Sequence, residues 1–424
     1  MGFFSDAQLA LANPAGCGMV CTLCRSCHTP KMGLVGGGRK GILIIAETPG
    51  SDEDVTGKQL IGNAGQKLRK ELSSLGVNID TDCWKMNAVS CHPPEGRNPT
   101  DVEVNACRPN VLRTIAKYKP RLIILLGSAA LESVVGSSNP EIIYRKSRGF
   151  PLLRGKIFPD RAYSGSWLGC TFHPAYVERM SRDKVVEVTW RNDLRRFLEQ
   201  MEQAPPVGTA ASDLSCCTLL TCPQQIIPVL QRMTSTLRPF TFDYETTGLK
   251  PHADGHHIVS IGFAVSTTTA FSFRLGHGPE WESVHDAWRS CMVNPQHGKI
   301  AHNLPFEFEW SRVGFGKVPR GWIADTQVLA HVEDSRLGHS SLKVQAYLKF
   351  GVPDYVSAVD KYKKPQDKDN KAYGCNAFNT MAKAPTTALL QYNALDALYT
   401  YRLWNYYREQ GVAAPADTNF EFYG

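Results

Sequence analysis

The sequence predicts an α/β protein built from two sheet-based parts, and three observations carry that prediction. Two short runs, residues 41–46 (GILIIA) and 121–126 (RLIILL), are rich in Leu and β-branched residues, bounded by Gly or Pro, and followed by helical patterns. Such runs suit strands buried on both faces of a parallel sheet. A third strand-like run, Pro239-Phe240-Thr241-Phe242, opens a separate group of elements in the second half. Between the halves, a helical stretch over 189–203 gives way to Ala204-Pro205-Pro206-Val207-Gly208-Thr209-Ala210-Ala211-Ser212, a linker composition. A chain of 424 residues exceeds one ordinary core, so two domains of about 200 residues are expected. The division is read as a domain over 1–203, a linker over 204–216 and a domain over 217–424.

Composition excludes several classes. No 18-residue apolar run exists, and the opening MGFFSDAQLALANP lacks the basic start and apolar core of a secretory signal. A cytoplasmic location and no membrane association are expected. Thirteen cysteines are many for a compartment that keeps thiols reduced, and clustered cysteines there point to metal. Charge divides unevenly: residues 1–203 hold 27 Lys+Arg against 20 Asp+Glu, whereas residues 204–424 hold 20 of each. The excess in the first half is consistent with phosphate contact there. Residues 360–371 (DKYKKPQDKDNK) read as a charged, solvated insertion in preference to a DNA-gripping loop.

In the first half, the strand at 41–46 runs into Glu47-Thr48-Pro49-Gly50-Ser51-Asp52-Glu53-Asp54. Acids there lie beyond the carboxyl end of a strand, where ligands bind in such sheets. The cysteines are grouped as Cys17, Cys21, Cys24 and Cys27, then Cys91 and Cys107 with fifteen residues between them. Four thiolates suit either zinc or an iron–sulfur cluster, and spacing alone does not choose. Cys83 and Cys170 read as buried apolar residues.

These strings carry a resemblance. AETPGSDED is similar to a GExPGxxED motif, MNAVSCHPPEGRNPT with Cys107 downstream to a cluster and base-recognition segment, and FHPAYVER to a His-Pro motif. Over residues 17–198 the chain thus resembles the iron–sulfur uracil-DNA glycosylases of family 4. The resemblance implies a three-layer α/β/α fold with a parallel sheet and a [4Fe–4S] cluster on Cys91, Cys107, Cys21 and Cys17. Cys24, which restores a CxxC spacing with Cys21, is the main competitor of Cys17, and Cys27 is a spare. Asn87 is then the reader of the flipped base's Watson–Crick edge, since one amide both donates and accepts. His173 donates to the base oxygen, Glu53 positions water or shields the sugar cation, and Glu47 is a structural acid of the pocket. One position departs from the pattern. Leu60 stands where TGxPFxGxAG places a stacking aromatic, and losing about 1–3 kcal/mol of stacking weakens uracil binding roughly ten- to hundredfold.

In the second half, residues i and i+2 of a strand share a face, so Asp243 and Glu245 present two carboxylates together. Tyr392 stands four residues before Asp396 and shares a helix face with it. The string Ala301-His302-Asn303-Leu304-Pro305-Phe306-Glu307 adds another acid. Each string alone reads as solvated charge, but three in strand and helix contexts point to a site. The carboxylates of Asp243, Glu245, Glu307 and Asp396 make a hard oxygen cage for Mg²⁺ or Mn²⁺ rather than zinc. Two such ions activate water and stabilise the leaving oxygen in phosphodiester hydrolysis.

FDYETTGLKP, HNLPFE and YNALDALYTYRL give residues 217–410 a resemblance to the DEDDy 3′–5′ exonucleases, in particular the proofreading domain of A-family DNA polymerases. It implies a ribonuclease-H-like α/β fold, metal ligation by Asp243, Glu245, Glu307 and Asp396, and Tyr392 orienting the attacking water. Glu307 departs from the more usual Asp by one methylene, which shifts metal preference or rate. Asp325, in ADTQVLAH, is expected to support the site rather than ligate metal. A polymerase needs several hundred further residues, so no polymerase domain is expected on this chain.

The whole chain reads as a DNA-repair or replication protein that joins a glycosylase-like domain to a two-metal 3′–5′ exonuclease. It resembles phage-encoded proteins that work in the host cytoplasm beside a separate A-family polymerase. Its expected partners are uracil-containing DNA and single-stranded or frayed 3′ ends. One rival is a proofreading subunit whose glycosylase fold only binds DNA or docks the polymerase. The other is a DEDD-type RNase, which the company of a glycosylase disfavours.

Overall fold

The aliphatic run of the first half forms β1 (Ile42–Ala46), buried at every residue. The structure is a computed structural model that describes residues 22–136, 149–160, 165–353, 355, 358–365 and 367–412. It divides into two units, Met1–Val207 and Gly208–Gly424.

In the first unit β1 is followed by α1 (Ser51–Thr56), α2 (Asn63–Ser74), β2 (Cys83–Asn87), α3 (Asp101–Tyr118), β3 (Leu122–Leu126) and α4 (Ser128–Val135). Next come α5 (Gly149–Leu153), β4 (Ile157–Pro159), β5 (Trp167–Thr171), α6 (Pro174–Arg179) and α7 (Lys184–Gln200). The sheet order is β2-β1-β3-β5-β4. All pairings are parallel except that of β4, an edge strand antiparallel to β5. Trp190, Leu194 and Phe197 of α7 pack on one face of β1 and β3, and α4 also contacts both strands, so they are buried at every residue. The helix expected over 189–203 starts earlier, because the Asp183 side chain accepts from the Val185 N–H and caps it. Register matters for function: Ala46 pairs with Asn87 and Leu126 with Thr171. Glu47, Asn87 and His173 therefore leave the sheet at its carboxyl end.

The second unit runs β6 (Cys217–Leu220), α8 (Pro223–Thr236), β7 (Phe240–Thr246), β8 (Ile258–Ser266), β9 (Thr269–Arg274) and α9 (Glu282–Val293). It continues with β10 (Lys299–Ala301), α10 (Leu304–Phe315), β11 (Trp322–Asp325), α11 (Thr326–Glu333), α12 (Leu342–Phe350), α13 (Asp360–Lys363) and α14 (Thr386–Glu409). The sheet order is β11-β10-β7-β8-β9-β6, with an antiparallel meander β7-β8-β9 flanked by parallel pairs. Side-chain alternation along β7 sorts chemistry by face. Phe240, Phe242 and Tyr244 enter an aromatic core around Trp288, whose indole N–H donates to Tyr244 Oη at 2.8 Å. Thr241 faces α14 instead, donating to the Ala397 carbonyl at 2.7 Å, and Asp243 and Glu245 share its side.

The segment 204–216, expected as a linker, is only partly one. Its end is built into the second unit: the Asp213 carboxylate accepts from Tyr399 Oη and pairs with Arg402, both at 2.8 Å. Small residues made this stretch look like a tether, and only the distant Tyr and Arg reveal it as folded. Among the described residues no helix is long and apolar enough to cross a membrane.

Candidate active sites

The carboxyl end of the first sheet holds a cavity of about 280 Å³ whose lining includes Glu47, Glu53, Leu60, Asn87, His173 and Arg179. All five base-pocket residues expected from sequence are thus brought together. Glu53, buried in the first turn of α1, accepts at Oε1 from the Ile61 and Gly62 N–H groups, each at 2.9 Å. Its other oxygen lies against Gly50, where a Cβ would stand only 2.4 Å away. Glu47 reaches the start of α4 and accepts from the Ala129 N–H at 3.4 Å. Burial raises its carboxyl above the ordinary range, partly offset by the Ala129 and Ser128 amides and by Arg179. Leu60 is buried and lines the cavity with an aliphatic branch instead of a ring.

His173 precedes α6 as its N-cap, with Nδ1 accepting from the Ala175 N–H at 3.2 Å. An acceptor Nδ1 puts the proton of the neutral ring on Nε2. Burial, helped by the Arg179 charge, lowers the imidazole to about 4, so the ring is neutral near pH 7. A neutral Nε2–H donates a hydrogen bond to a base oxygen on which negative charge grows, without giving up its proton.

Only some of the grouped cysteines fall within the described residues. Cys17 and Cys21 lie outside the described residues. Cys24 Sγ stands 3.7 Å from Cys91 Sγ, and burial first, then Cys24 and Cys27, raise the Cys91 thiol. Cys91 also accepts from the Lys31 N–H at 3.3 Å, and Cys107 is buried on α3. Among the described residues, the thiols near Cys91 are those of Cys24 and Cys27, which form a CxxC. Asp54 ties that segment to the pocket by accepting from the His28 and Thr29 N–H groups at 2.9 and 2.8 Å. Cys83 and Cys170 are fully buried within strands β2 and β5.

In the second unit, Asp243 and Glu245 of β7 and Asp396 of α14 each offer an oxygen within 4.8 Å of the others. Burial, then repulsion from Asp396 and Glu245, raises Asp243 well above the ordinary range. Burial likewise raises Glu245 to about 7. Burial would raise Asp396 too, but the Lys343 and Lys363 ammonium groups outweigh it and hold that carboxyl low. Glu307, in the first turn of α10, stands outside this triad. It is raised by burial and by Asp243 and Glu245, and its Oε2 has no hydrogen-bond partner among the described residues. Asp325 caps α11 through the Gln327 N–H at 2.8 Å and accepts from the Leu304 N–H at 2.9 Å, a supporting role.

Sequence reasoning missed several neighbours. Lys343 of α12 pairs with Asp396, and Tyr355 donates to the same oxygen at 2.5 Å. Lys363, inside the segment read as a solvated insertion, donates to Tyr392 Oη at 2.5 Å and covers its ring at 3.9 Å. Asn393 donates to Asp243 Oδ2 at 2.8 Å while its own Oδ1 accepts from Ser260 Oγ at 2.9 Å. Asn393 was findable, because it adjoins Tyr392 in the third motif. The lysines carried no local signal.

Comparison with known proteins gives each half a family match. Residues 35–195 match the uracil DNA glycosylase superfamily, and residues 220–411 match a 3′–5′ exonuclease family. The type-4 uracil-DNA glycosylase of Pyrobaculum aerophilum is 36% identical over 140 residues, 33% of this chain and 68% of that protein. That of Thermotoga maritima is 34% identical over 169 residues, 38% of this chain and 75% of that protein. DNA polymerase I of Chloroflexus aurantiacus is 28% identical over 256 residues, 53% of this chain but only 26% of the polymerase. These matches define a hydrolase acting on DNA, in which a glycosylase domain is fused to an exonuclease domain. Through its first half the chain belongs to the type-4 uracil-DNA glycosylases, and its second half is a 3′–5′ exonuclease domain of the DNA polymerase A type.

Proposed function

We propose that the first unit excises uracil from DNA without metal assistance and that the second degrades DNA from 3′ ends with two divalent ions. One observation carries this reading: groups from separate segments converge twice. Glu53, Asn87 and His173 line one cavity, and Asp243, Glu245 and Asp396 close on one point. In the cavity Asn87 reads the flipped base, and His173 donates its Nε2–H to the base oxygen as the glycosidic bond breaks. Glu53, pinned by two amides, positions water or shields the sugar cation.

The acidic site suits hard cations. Its donors are carboxylate oxygens, and the buried Glu307 Oε2 without a partner is an orphan of the kind a cation satisfies. Asp243, Glu245, Glu307 and Asp396 would hold Mg²⁺ or Mn²⁺, which supply water activation and leaving-oxygen stabilisation when bound. Tyr392, its phenol held by Lys363, orients the attacking water. In the first unit the soft thiols of Cys24, Cys27, Cys91 and Cys107 suit a [4Fe–4S] cluster, with the Lys31 N–H steadying the Cys91 sulfur. We place the protein in the cytoplasm beside a separate A-family polymerase, on the strength of the exonuclease domain's type and thirteen cysteines.

The decisive test uses a labelled single strand with one internal uracil. In EDTA, abasic sites should form and the 3′ end should stay intact. With Mg²⁺ the strand should shorten stepwise from its 3′ end. Shortening that persists in EDTA would defeat the two-metal reading. Leu60 favours a second reading, in which the glycosylase fold binds DNA without excision, and an absence of abasic sites in EDTA decides for it. For the cluster, Cys24→Ser is expected to lose more iron and visible charge-transfer absorption than Cys17→Ser. Wild-type iron content in both Cys24→Ser and Cys27→Ser would rule out these ligands.

A further inference from the structure

We propose that Gln59 sets which base the glycosylase cavity accepts, by fixing the orientation of the Asn87 amide. This inference rests on the excision reading above and adds a specificity determinant to it. In the TGxPFxGxAG pattern Gln59 occupies the Pro position, so a side-chain amide enters where the pattern has none.

Gln59 lines the cavity and is only 3% exposed. Its Nε2 donates to the Gly33 carbonyl at 3.2 Å. A carbonyl can only accept, so this bond settles which end of the Gln59 amide is nitrogen and turns Oε1 the other way. Oε1 receives a hydrogen bond from Asn87 Nδ2 at 2.6 Å. Because Oε1 in turn can only accept, Asn87 must present its nitrogen, not its oxygen, to Gln59. The chain Gly33 to Gln59 to Asn87 thus selects one of two amide orientations that are nearly identical in shape.

That choice has a chemical consequence. With one Nδ2 hydrogen taken by Gln59, Asn87 keeps a second hydrogen and Oδ1, one donor and one acceptor, for the base. Uracil offers the matching pair, an O4 acceptor and an N3–H donor. Cytosine offers the reverse, an N4–H donor and a bare N3 acceptor. The flipped Asn87 amide would suit cytosine, and Gln59 opposes that flip by leaving two acceptors facing each other in a buried site. Gln59 is a positioning residue: it discriminates through Asn87 without itself reading the base edge.

The test compares full-length wild type, Gln59→Leu and Gln59→Glu in EDTA, on strands that carry either uracil or cytosine at one position. Leu fills the site but leaves both Asn87 orientations open. Its uracil-to-cytosine excision ratio is expected to fall by about tenfold or more, the size of one buried hydrogen-bond mismatch. Glu keeps an acceptor toward Asn87 and should retain most of the discrimination, which a merely structural role would not predict. Thermal unfolding and circular dichroism report that each variant is folded. A wild-type ratio in folded Gln59→Leu, or a collapsed ratio in folded Gln59→Glu, overturns the inference while excision itself stands. If wild type makes no abasic site at uracil, the excision reading fails instead, and the two failures are distinguished.

Discussion

Asp243→Asn combined with Asp396→Asn will abolish 3′ shortening of DNA while leaving uracil excision in EDTA unchanged. Asn is close to Asp in size, so the packing of β7 against α14 is kept, and an amide oxygen at 243 can still accept from Asn393 Nδ2. What disappears is the negative charge from two of the three residues that converge within 4.8 Å. Bound ions contribute several kcal/mol to the transition state, so the rate should drop by roughly a thousandfold or more. In EDTA the two substitutions should differ in their effect on stability. Asp243 is held high by burial and by repulsion from Asp396 and Glu245, so a neutral isostere relieves strain in the ion-free protein. Asp243→Asn alone should unfold at the same temperature as wild type, or higher, in EDTA, whereas Asp396→Asn leaves the buried Lys343 without its carboxylate and should lower it. The double variant should gain little on adding Mg²⁺, because a ligand stabilises only what binds it. Retained digestion by the folded double variant would remove this site from the chemistry.

Gly262→Val is expected to inactivate the exonuclease without touching any acid. Gly262 pairs with Asp243 across β7 and β8, and α14 crosses directly above it. A Cβ at this position would stand 2.3 Å from the Asn393 carbonyl oxygen and 2.7 Å from its carbon. Both partners are backbone, so no rotamer change relieves the clash. Either α14 lifts or the strands bend, and each moves Tyr392 and Asp396 away from Asp243 and Glu245. Overpacking of this kind destabilises by about 1–3 kcal/mol. A displacement of about 1 Å at such a site reduces rate by roughly a hundredfold. Strand shortening with Mg²⁺ and thermal unfolding check both effects, and uracil excision in EDTA should persist because its cavity lies in the other unit. Exonuclease activity near wild type in Gly262→Val would mean that the close approach of α14 is not needed.

Both sites were legible in outline because their residues sit on elements with clear periods. Asp243 and Glu245 share a strand face, and Tyr392 and Asp396 share a helix face, which needs only the local geometry of β7 and α14. The pocket acids follow an aliphatic strand whose carboxyl end is the expected place for a ligand. Other features were misread for a physical reason. The start of α7 depends on the Asp183 cap, which lies outside the apolar pattern that marked the helix. The segment read as a linker, 204–216, ends in Asp213, which pairs with Tyr399 and Arg402, nearly two hundred positions along the chain by sequence.

By itself, then, the sequence determined the two α/β sheets, the order of their acidic strings and the kinds of atoms each site offers. Those are consequences of side-chain period and chemistry, which are written locally. Only the tertiary structure decided that Cys24 and Cys27 face Cys91, that Gln59 holds Asn87, and that Lys343 and Lys363 join the carboxylates. Each of those is a contact between residues of different elements, formed because the backbone path brings them together. No local pattern encodes such a path, since the same lysine on a solvated turn and on a turn beside Asp396 has the same neighbours in sequence.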